Sequence, residues 1–398
     1  MRKATILHDS AKPRVIAIVI NSLEGGGAER VACHLLKWLH PYAQQHQVQF
    51  HLVLLDRAQE SQQCPPFVQK ACLDSKQSLL KSVRKLDRWV AQYQPDHIIS
   101  FLTRSNIAST LVSKRHGIPC IISERVNTTS HLGNGLSASI SKMLVRLCYP
   151  LANHIAAVST GVADDLVENF GICAEKITVV YNAYEREALN RLADLPCPDL
   201  PEQPYILAAG RLTANKNFSL LLRAFARAAL PFQLVILGQG DERVALEKLA
   251  SDLGIKEKVL FAGFQKNPYP YFKHATFFAS SSNAEGFPNA IVEAMTLGKA
   301  VVVTDCPSGP AEILGGQGRP DTQGIKAHYG ILCPCNEETA LSEGLQLMAQ
   351  PQTRQHYECQ ATRRAATFTP ERMVDSITHL IESTGSTPRQ RQRSISHV

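Results

Sequence analysis

Two glutamates flank the start of a predicted helix in the segment SSSNAEGFPNAIVEAMTLGKAVVVTDCPSGPAEIL, residues 280–314. Glu285 precedes Pro288, which suits a first helical turn because its missing N–H would have no partner there, and Glu293 falls inside the helix. The free N–H groups and positive dipole end of such a helix suit a phosphate. Carboxylates beside that anion site could hold sugar hydroxyls. The pattern indicates a nucleotide-sugar site, although acid–loop–helix segments also occur in other α/β proteins.

Two cations follow the predicted strand Tyr205–Ala209 in the segment GRLTANKN. Arg211 and Lys216 would lie in a short loop at the carboxyl edge of a parallel sheet, where such sheets bind ligands. The alternative is a pair of solvated loop residues.

A glycine-rich loop, NSLEGGGAER, joins a predicted strand to an amphipathic helix at residues 21–30. Gly26 and Gly27 would let the backbone approach a ligand closely. A dinucleotide fingerprint requires a third glycine where this chain has Arg30, so that motif fails. Asp56 nevertheless ends the second strand as a ribose-binding acid would, which leaves a Rossmann oxidoreductase as an alternative.

Short β-branched runs alternate with helical patterns along the chain, which predicts an α/β protein with parallel sheets. The proline-rich stretch around residues 195–204 is predicted to link a first domain (1–194) to a second (205–368), followed by a helix at 369–383 and a disordered tail at 384–398. Twelve strands are predicted: Val15–Ile20, Val48–Leu55, His97–Phe101, Pro119–Ile122, His154–Val158, Ile177–Tyr181, Tyr205–Ala209, Gln233–Leu237, Lys258–Phe261, Thr276–Ala279, Ala300–Val303 and Tyr329–Leu332.

The motifs EGFPNAIVEAM, with its Glu-x7-Glu pair, and TDCPSGPAEIL closely resemble the donor-binding signature of family 4 retaining glycosyltransferases. The resemblance implies the GT-B fold, in which two Rossmann-like domains face each other across a cleft. It implies catalytic roles for Arg211, Lys216 and Glu285, with the two cations acting on the leaving diphosphate. The further donor-binding residues that it implies are Gly26, Gly27, Gly238, Gly263, Gly286, Phe287, Pro288, Asn289, Ala290 and Glu293.

No Asp-x-Asp motif is present, although metal-dependent glycosyltransferases of the GT-A fold normally hold a divalent ion with it. We therefore expect a reaction that needs no metal and no other cofactor, with the nucleotide-sugar as a substrate.

The loop SERVNTTSH lacks the histidine that many members of the family place near Glu124. It is more similar to members that act on lipid-linked or polysaccharide acceptors. Glu124 and Arg125 are therefore candidate acceptor contacts, or a base, and the alternative is a surface ion pair.

Positive charge is concentrated in the first half of the chain. The net charge is +7, and residues 57–150 hold 13 Lys and Arg against 5 Asp and Glu. Basic amphipathic patterns at 75–93 and 136–147 could lie on an anionic membrane, or could simply pack with a solvated face. Eleven cysteines without a regular framework favour a reducing compartment. We expect a cytoplasmic protein, peripheral on the inner face of the cytoplasmic membrane, with no nucleic-acid partner.

The sequence thus predicts an enzyme that moves a hexose or N-acetylhexosamine from a nucleotide-sugar, expected to be a UDP-sugar, to a hydroxyl of a lipid-linked or surface-glycan acceptor, with retention. A GT-B sugar-nucleotide epimerase and a non-catalytic sugar-nucleotide-binding protein remain alternatives.

Overall fold

A computed structural model of the protein describes residues 13–133, 135–316 and 327–385. Residues 386–398 of the predicted tail lie outside this range. Within the described residues, no helix combines the length and the apolar character that crossing a membrane would require.

The first sheet has seven strands in the order β3-β2-β1-β4-β5-β6-β7. The pairings among β1 to β5 are parallel. Strand β1 is buried over almost its whole length, as expected for an aliphatic strand covered on both faces. The strands are β1 (Arg14–Ile20), β2 (Val48–Leu54), β3 (Gln69–Cys72), β4 (His97–Phe101), β5 (Cys120–Glu124), β6 (His154–Ala157) and β7 (Ile177–Val179).

Among the described residues, eight α-helices accompany these strands. Several begin at a side chain that accepts a hydrogen bond from the first turn, as Ser78 and Ser159 do. The helices are α1 (Gly27–Trp38), α2 (His40–Gln45), α3 (Leu79–Tyr93), α4 (Thr103–His116), α5 (Thr128–Leu132), α6 (Leu136–Cys148), α7 (Thr160–Phe170) and α8 (Arg186–Ala193).

The second sheet has six parallel strands in the order β10-β9-β8-β11-β12-β13. Its strands are β8 (Tyr205–Ala209), β9 (Gln233–Leu237), β10 (Val259–Gly263), β11 (Phe277–Ser280), β12 (Val301–Thr304) and β13 (Ile331–Cys333). The helices are α9 (Phe218–Ala228), α10 (Arg243–Asp252), α11 (Tyr269–His274), α12 (Asn289–Thr296), α13 (Pro310–Leu314), α14 (Glu338–Ala349), α15 (Pro351–Ala365) and α16 (Pro370–Gly385).

The chain divides into two compact units. One contains residues 13–123, 144–155 and 377–385, and the other contains residues 124–143 and 156–376 among those described. The apolar faces of α9 and α14 pack into the core of the second unit, with Leu221, Phe225 and Leu341 fully or almost fully buried. The predicted domain boundaries at 194 and 205 stay a prediction.

All twelve predicted strands are present, with ends that differ by at most two residues. The prediction missed β3, an edge strand of sequence QKAC that is largely exposed and so carries no apolar alternation. It also placed Pro288 in the helix, whereas α12 begins one residue later, at Asn289, and Pro288 is its N-cap.

Candidate active site

The loop after β8 positions the two predicted cations. Arg211 is exposed, and Lys216 ends a short 3₁₀ turn, Ala214–Lys216, before α9. The aliphatic stem of Lys216 passes over Gly210. A Cβ atom added at position 210 would lie 3.3 Å from Lys216 Cε. This loop lies at the carboxyl end of a central strand, as predicted.

Lys216 forms an ion pair with Glu285, which lies in the loop after the neighbouring strand β11. The lysine Nζ donates to the carboxylate Oε1. The side chains are 24% and 12% exposed, so the pair is shielded yet reachable from solvent. The structure therefore brings together a cation predicted for the phosphate and a carboxylate predicted for the sugar.

Hydrogen bonds hold these two loops together. Asn283 N donates to Asn215 O over 2.8 Å, and Asn215 Nδ2 donates to Ala284 O over 2.7 Å. Ser281 Oγ donates to the carbonyl of Lys216 over 3.0 Å. Each of these bonds ends on a backbone carbonyl, so together they hold the two loops against each other.

A third loop lies against the first through its glycines. Gly238 has φ +132°, and a Cβ atom there would lie 1.9 Å from Gly210 O, so only glycine fits. Gly238 N donates to Gly263 O over 2.8 Å, which adds the end of β10 to the arrangement. Gly238, one of the glycines predicted to contact the donor, thus lies against the loop of Arg211 and Lys216, and Gly263 is hydrogen-bonded to Gly238.

The N-terminal end of α12 follows Glu285 by a few residues. The Phe287 ring is 5% exposed and packs against Tyr181 and Phe368 at centroid distances of 5.8 and 5.4 Å. Its side chain therefore belongs to the core, so only its backbone is available to a ligand. Glu293 lies in the helix and is 4% exposed.

The remaining predicted donor residues at this end differ in their surroundings. Gly286 fits against a neighbouring backbone, since a Cβ atom there would lie 2.2 Å from Arg125 O. Asn289 and Ala290, the first two residues of α12, are half-buried. The first N–H groups of any helix have no acceptor within the helix, so those of α12 suit an anion.

Glu124 and Arg125, the acceptor candidates, are buried at 0% and 8% exposure. The alternative interpretation of these two residues as a surface ion pair is therefore wrong. Glu124 Oε1 accepts from the backbone N–H of Arg125 over 3.0 Å, and the Arg125 guanidinium donates to Asn182 Oδ1. Burial lowers the pKa of Arg125 to about 10, so the guanidinium stays charged at neutral pH. Contact with an acceptor stays a prediction.

Gly26 and Gly27 begin α1, with Gly26 as the N-cap. A Cβ atom at Gly26 would lie 2.2 Å from the carboxylate of Glu29, so the acid folds over the helix start. These glycines belong to the first compact unit, and their predicted contact with the donor stays a prediction.

Sequence reasoning missed a carboxylate at the next helix start, Glu312 of α13. It accepts from Thr160 N over 2.8 Å and from the hydroxyls of Thr160 and Tyr181. Burial, followed by the bond to Glu312, raises the pKa of Tyr181 to about 12, so this hydroxyl keeps its proton and donates. No local pattern marked these residues, since their partners are distant in sequence.

The fold is that of an α/β protein with two sheets, and the candidate site pairs a lysine with a carboxylate at the carboxyl edge of the second sheet. Two family models match the chain: "Glycosyltransferase Family 4" over residues 25–188 and "Glycosyl transferases group 1" over residues 198–364. An N-acetylgalactosamine-N,N'-diacetylbacillosaminyl-diphospho-undecaprenol 4-alpha-N-acetylgalactosaminyltransferase of Campylobacter jejuni subsp. jejuni is 31% identical over 381 residues, covering 92% of this chain and 99% of the relative. The chain belongs to this family of glycosyltransferases, and the prediction of a glycosyltransferase is confirmed.

Solved structures agree on the fold. Anabaena HepE in complex with UDP and glucose is similar with a TM-score of 0.73 at 18% identity, covering 93% of this chain and 100% of that one. Sucrose-phosphate synthase of Thermosynechococcus elongatus gives a TM-score of 0.75 at 16% identity, covering 93% and 98%. The predicted GT-B class, with two Rossmann-like parallel sheets, is confirmed.

Proposed function

We propose that this enzyme transfers a hexose or N-acetylhexosamine from a UDP-sugar to a hydroxyl of a lipid-linked or surface-glycan acceptor, with retention of configuration and without a metal. The paired Lys216 and Glu285, beside exposed Arg211, carry the proposal. The Campylobacter relative, whose name specifies a diphospho-undecaprenol acceptor and an N-acetylgalactosaminyl group, supports the choice of acceptor and sugar.

Donor binding exchanges partners at the ion pair. The diphosphate takes the place of the Glu285 carboxylate on Lys216, where Arg211 adds a second positive charge. The freed carboxylate then accepts hydrogen bonds from hydroxyls of the donor sugar. Sugar and diphosphate are thus held by groups that neutralise each other in the resting site.

Bond breaking leaves negative charge on the β-phosphate, which the two cations stabilise. Fixed charges in a closed site act more strongly than in water, and removing one such donor costs about 3–4 kcal/mol of transition-state stabilisation. The acceptor hydroxyl attacks from the face that the diphosphate leaves and gives its proton to the departing phosphate. The glycosidic bond to the acceptor thereby keeps the configuration of the donor.

The test is turnover of UDP-sugars by Lys216→Ala and Arg211→Ala. Each should lower kcat/KM by about two to three orders of magnitude with an unchanged melting temperature. The exposed Lys248→Ala and Arg223→Ala serve as matched controls. Near-normal rates in both site variants would refute the assignment. Conversion of the donor without any acceptor would indicate an epimerase instead.

Metal independence has a separate test, which is the same assay in excess EDTA. We expect full turnover, because Lys216 and Arg211 carry the charge that a divalent ion would otherwise supply. Loss of turnover that Mg²⁺ or Mn²⁺ restores would contradict this part of the proposal.

We place the enzyme at an anionic membrane surface because of helix α6. Its side chains Ile140, Met143 and Leu147 are 52%, 52% and 61% exposed, at spacings that put them on one face. Lys142 and Arg146 supply positive charge on the same helix. In α3, by contrast, Leu86 and Val90 are buried, so the apolar face of that helix packs into the protein.

Flotation with phosphatidylglycerol vesicles at low and high salt tests this location. Wild type should float and Met143→Asp should not, because the substitution puts a charge on an apolar, lipid-facing stripe. Leu80→Asp is the control, since Leu80 is 72% exposed on another helix. Wild type that binds no acidic vesicles in either salt would end the membrane proposal.

A further inference from the structure

A chain of polar side chains connects Arg125 to the first residue of α12. The Arg125 guanidinium donates to Asn182 Oδ1, and Asn182 Nδ2 donates to Asn289 Oδ1 over 2.6 Å. The Tyr184 hydroxyl donates to the same oxygen of Asn289 over 2.5 Å. Arg125 and Asn182 are buried, at 8% and 3% exposure, so water does not compete for the bond between them.

The direction of every bond in this chain follows from the guanidinium. Arginine carries only donors, so the atom of Asn182 that faces it must be the carbonyl oxygen. The other end of that amide is then a donor, and the atom of Asn289 that faces it must be an acceptor. The network itself therefore sets the orientation of both amides.

The amide nitrogen Nδ2 of Asn289 takes no part in this chain of hydrogen bonds. Its oxygen accepts from two donors, and Nδ2 has no hydrogen-bond partner among the residues that the structure describes. Asn289 is half-buried at the first turn of α12, four residues after Glu285. Two extra N–H donors therefore stand beside the backbone N–H groups of the helix start.

We propose that Arg125, Asn182 and Tyr184 are positioning residues that orient the Asn289 amide so that its NH₂ group donates to an oxygen of the nucleotide-sugar. The inference rests on the donor site of the proposed function. The oxygen belongs either to the diphosphate or to the donor sugar. Arg125 then acts on the donor through Asn182 instead of contacting the acceptor.

Asn182→Asp and Tyr184→Phe test the proposal because they keep size and shape. The carboxylate introduced by Asn182→Asp would still accept from Arg125 but could not donate to Asn289, so the amide of Asn289 would reverse and present its oxygen to the ligand. We expect the double variant to bind UDP about tenfold more weakly by calorimetry, with the acceptor KM unchanged. Asn190→Asp and Tyr357→Phe are matched controls, as both bond a backbone carbonyl elsewhere.

A double-mutant cycle separates positioning from a general structural effect. In an Asn289→Ala background, Asn182→Asp should have no further effect on UDP affinity. Weaker binding of UDP itself assigns the oxygen to the diphosphate, whereas unchanged UDP affinity with a raised KM for the UDP-sugar assigns it to the sugar.

Two results would overturn the inference, and they differ in meaning. If wild type and the double variant bind UDP equally and have equal KM values for the UDP-sugar, the positioning role is wrong and the proposed function stands. If wild type binds neither UDP nor any UDP-sugar, the proposed function fails and the inference fails with it.

Discussion

At the scale of single residues, Lys216 and Glu285 already satisfy each other before any donor binds. A nearby carboxylate competes with a phosphate for the same ammonium group, so the pair weakens diphosphate binding while it keeps both side chains in place. The proposed exchange uses both charges at different steps. Lys216 binds the diphosphate, and the freed Glu285 carboxylate then accepts hydrogen bonds from the sugar hydroxyls.

Glu285→Gln should therefore separate binding from turnover. The amide removes the competing charge, so UDP should bind about three- to tenfold more tightly, which is on the order of 1 kcal/mol. Turnover should fall by about two orders of magnitude because the neutral amide holds the donor sugar poorly in the transition state. Calorimetry and steady-state rates measure the two effects. Glu247→Gln is the control, since Glu247 pairs with Arg243 on an exposed helix face; weaker UDP binding in Glu285→Gln would contradict the exchange.

Residue types, local spacing and the family resemblance marked Arg211, Lys216 and Glu285 as candidates, because each lies in a loop that follows a recognisable strand; their roles stay predictions. They could not find Asn182 or Glu312. The partners of these two residues are 107 to 152 positions away, at Asn289 and Thr160, and no short-range periodicity encodes such a contact. Networks that close over long sequence distances become visible only in the folded chain.

At the scale of elements, the loops of the second sheet approach each other so closely that side chains are excluded. Gly238→Ala should lower the free energy of unfolding by more than about 3 kcal/mol, because it combines positive φ with overlap on the Gly210 carbonyl. Gly254→Ala should cost only about 1 kcal/mol, since φ there is +69° and the space around it is open. Denaturant titration of both variants gives the comparison. Equal costs would show that the turn relaxes and that the close approach is unimportant.

Helix α13 is tied to the start of α7 through one carboxylate. Glu312→Ala should cost about 2–4 kcal/mol of stability, because Thr160 N–H and two hydroxyls lose their acceptor at once. Tyr181→Phe should cost only about 1 kcal/mol, as it removes one bond and leaves the rest. Chemical unfolding measures both variants, and a Glu312→Ala cost below that of Tyr181→Phe would contradict the central role of this carboxylate.

At the scale of the whole molecule, alternation of strands and helices was sufficient to predict two parallel sheets and nearly every strand. It could not predict how the chain is shared between compact units. Residues 124–143 belong with 156–376, whereas 377–385 belong with the first unit. Which unit a segment joins depends on which apolar faces pack together in the folded chain. The local sequence pattern of α16 does not specify the element that it packs against.

Stability of the whole molecule should fall as the pH drops below 6.5, and His97 is one cause. His97 is 3% exposed, and burial, helped by the nearby charge of Arg14 and opposed by Asp96, lowers its pKa from 6.5 to about 4. The unfolded chain therefore binds a proton that the folded chain refuses. Its contribution is fully present above pH 6.5 and is lost progressively as the pH falls towards 4, by an amount on the order of 3 kcal/mol.

His97→Asn should flatten that loss, because an amide can still accept from Arg14 Nη2, which lies 3.2 Å from His97 Nδ1, but does not titrate. Urea unfolding of wild type and variant between pH 7 and pH 4.5 gives the two slopes, and an NMR titration of the His97 ring in the intact enzyme gives its midpoint independently. An NMR midpoint near 6.5, or identical slopes, would show that the His97 imidazole is protonated in the folded protein without loss of stability. Either result would contradict the prediction. A midpoint below 5 together with the flatter slope would assign part of the acid sensitivity of the enzyme to one buried ring at the start of β4.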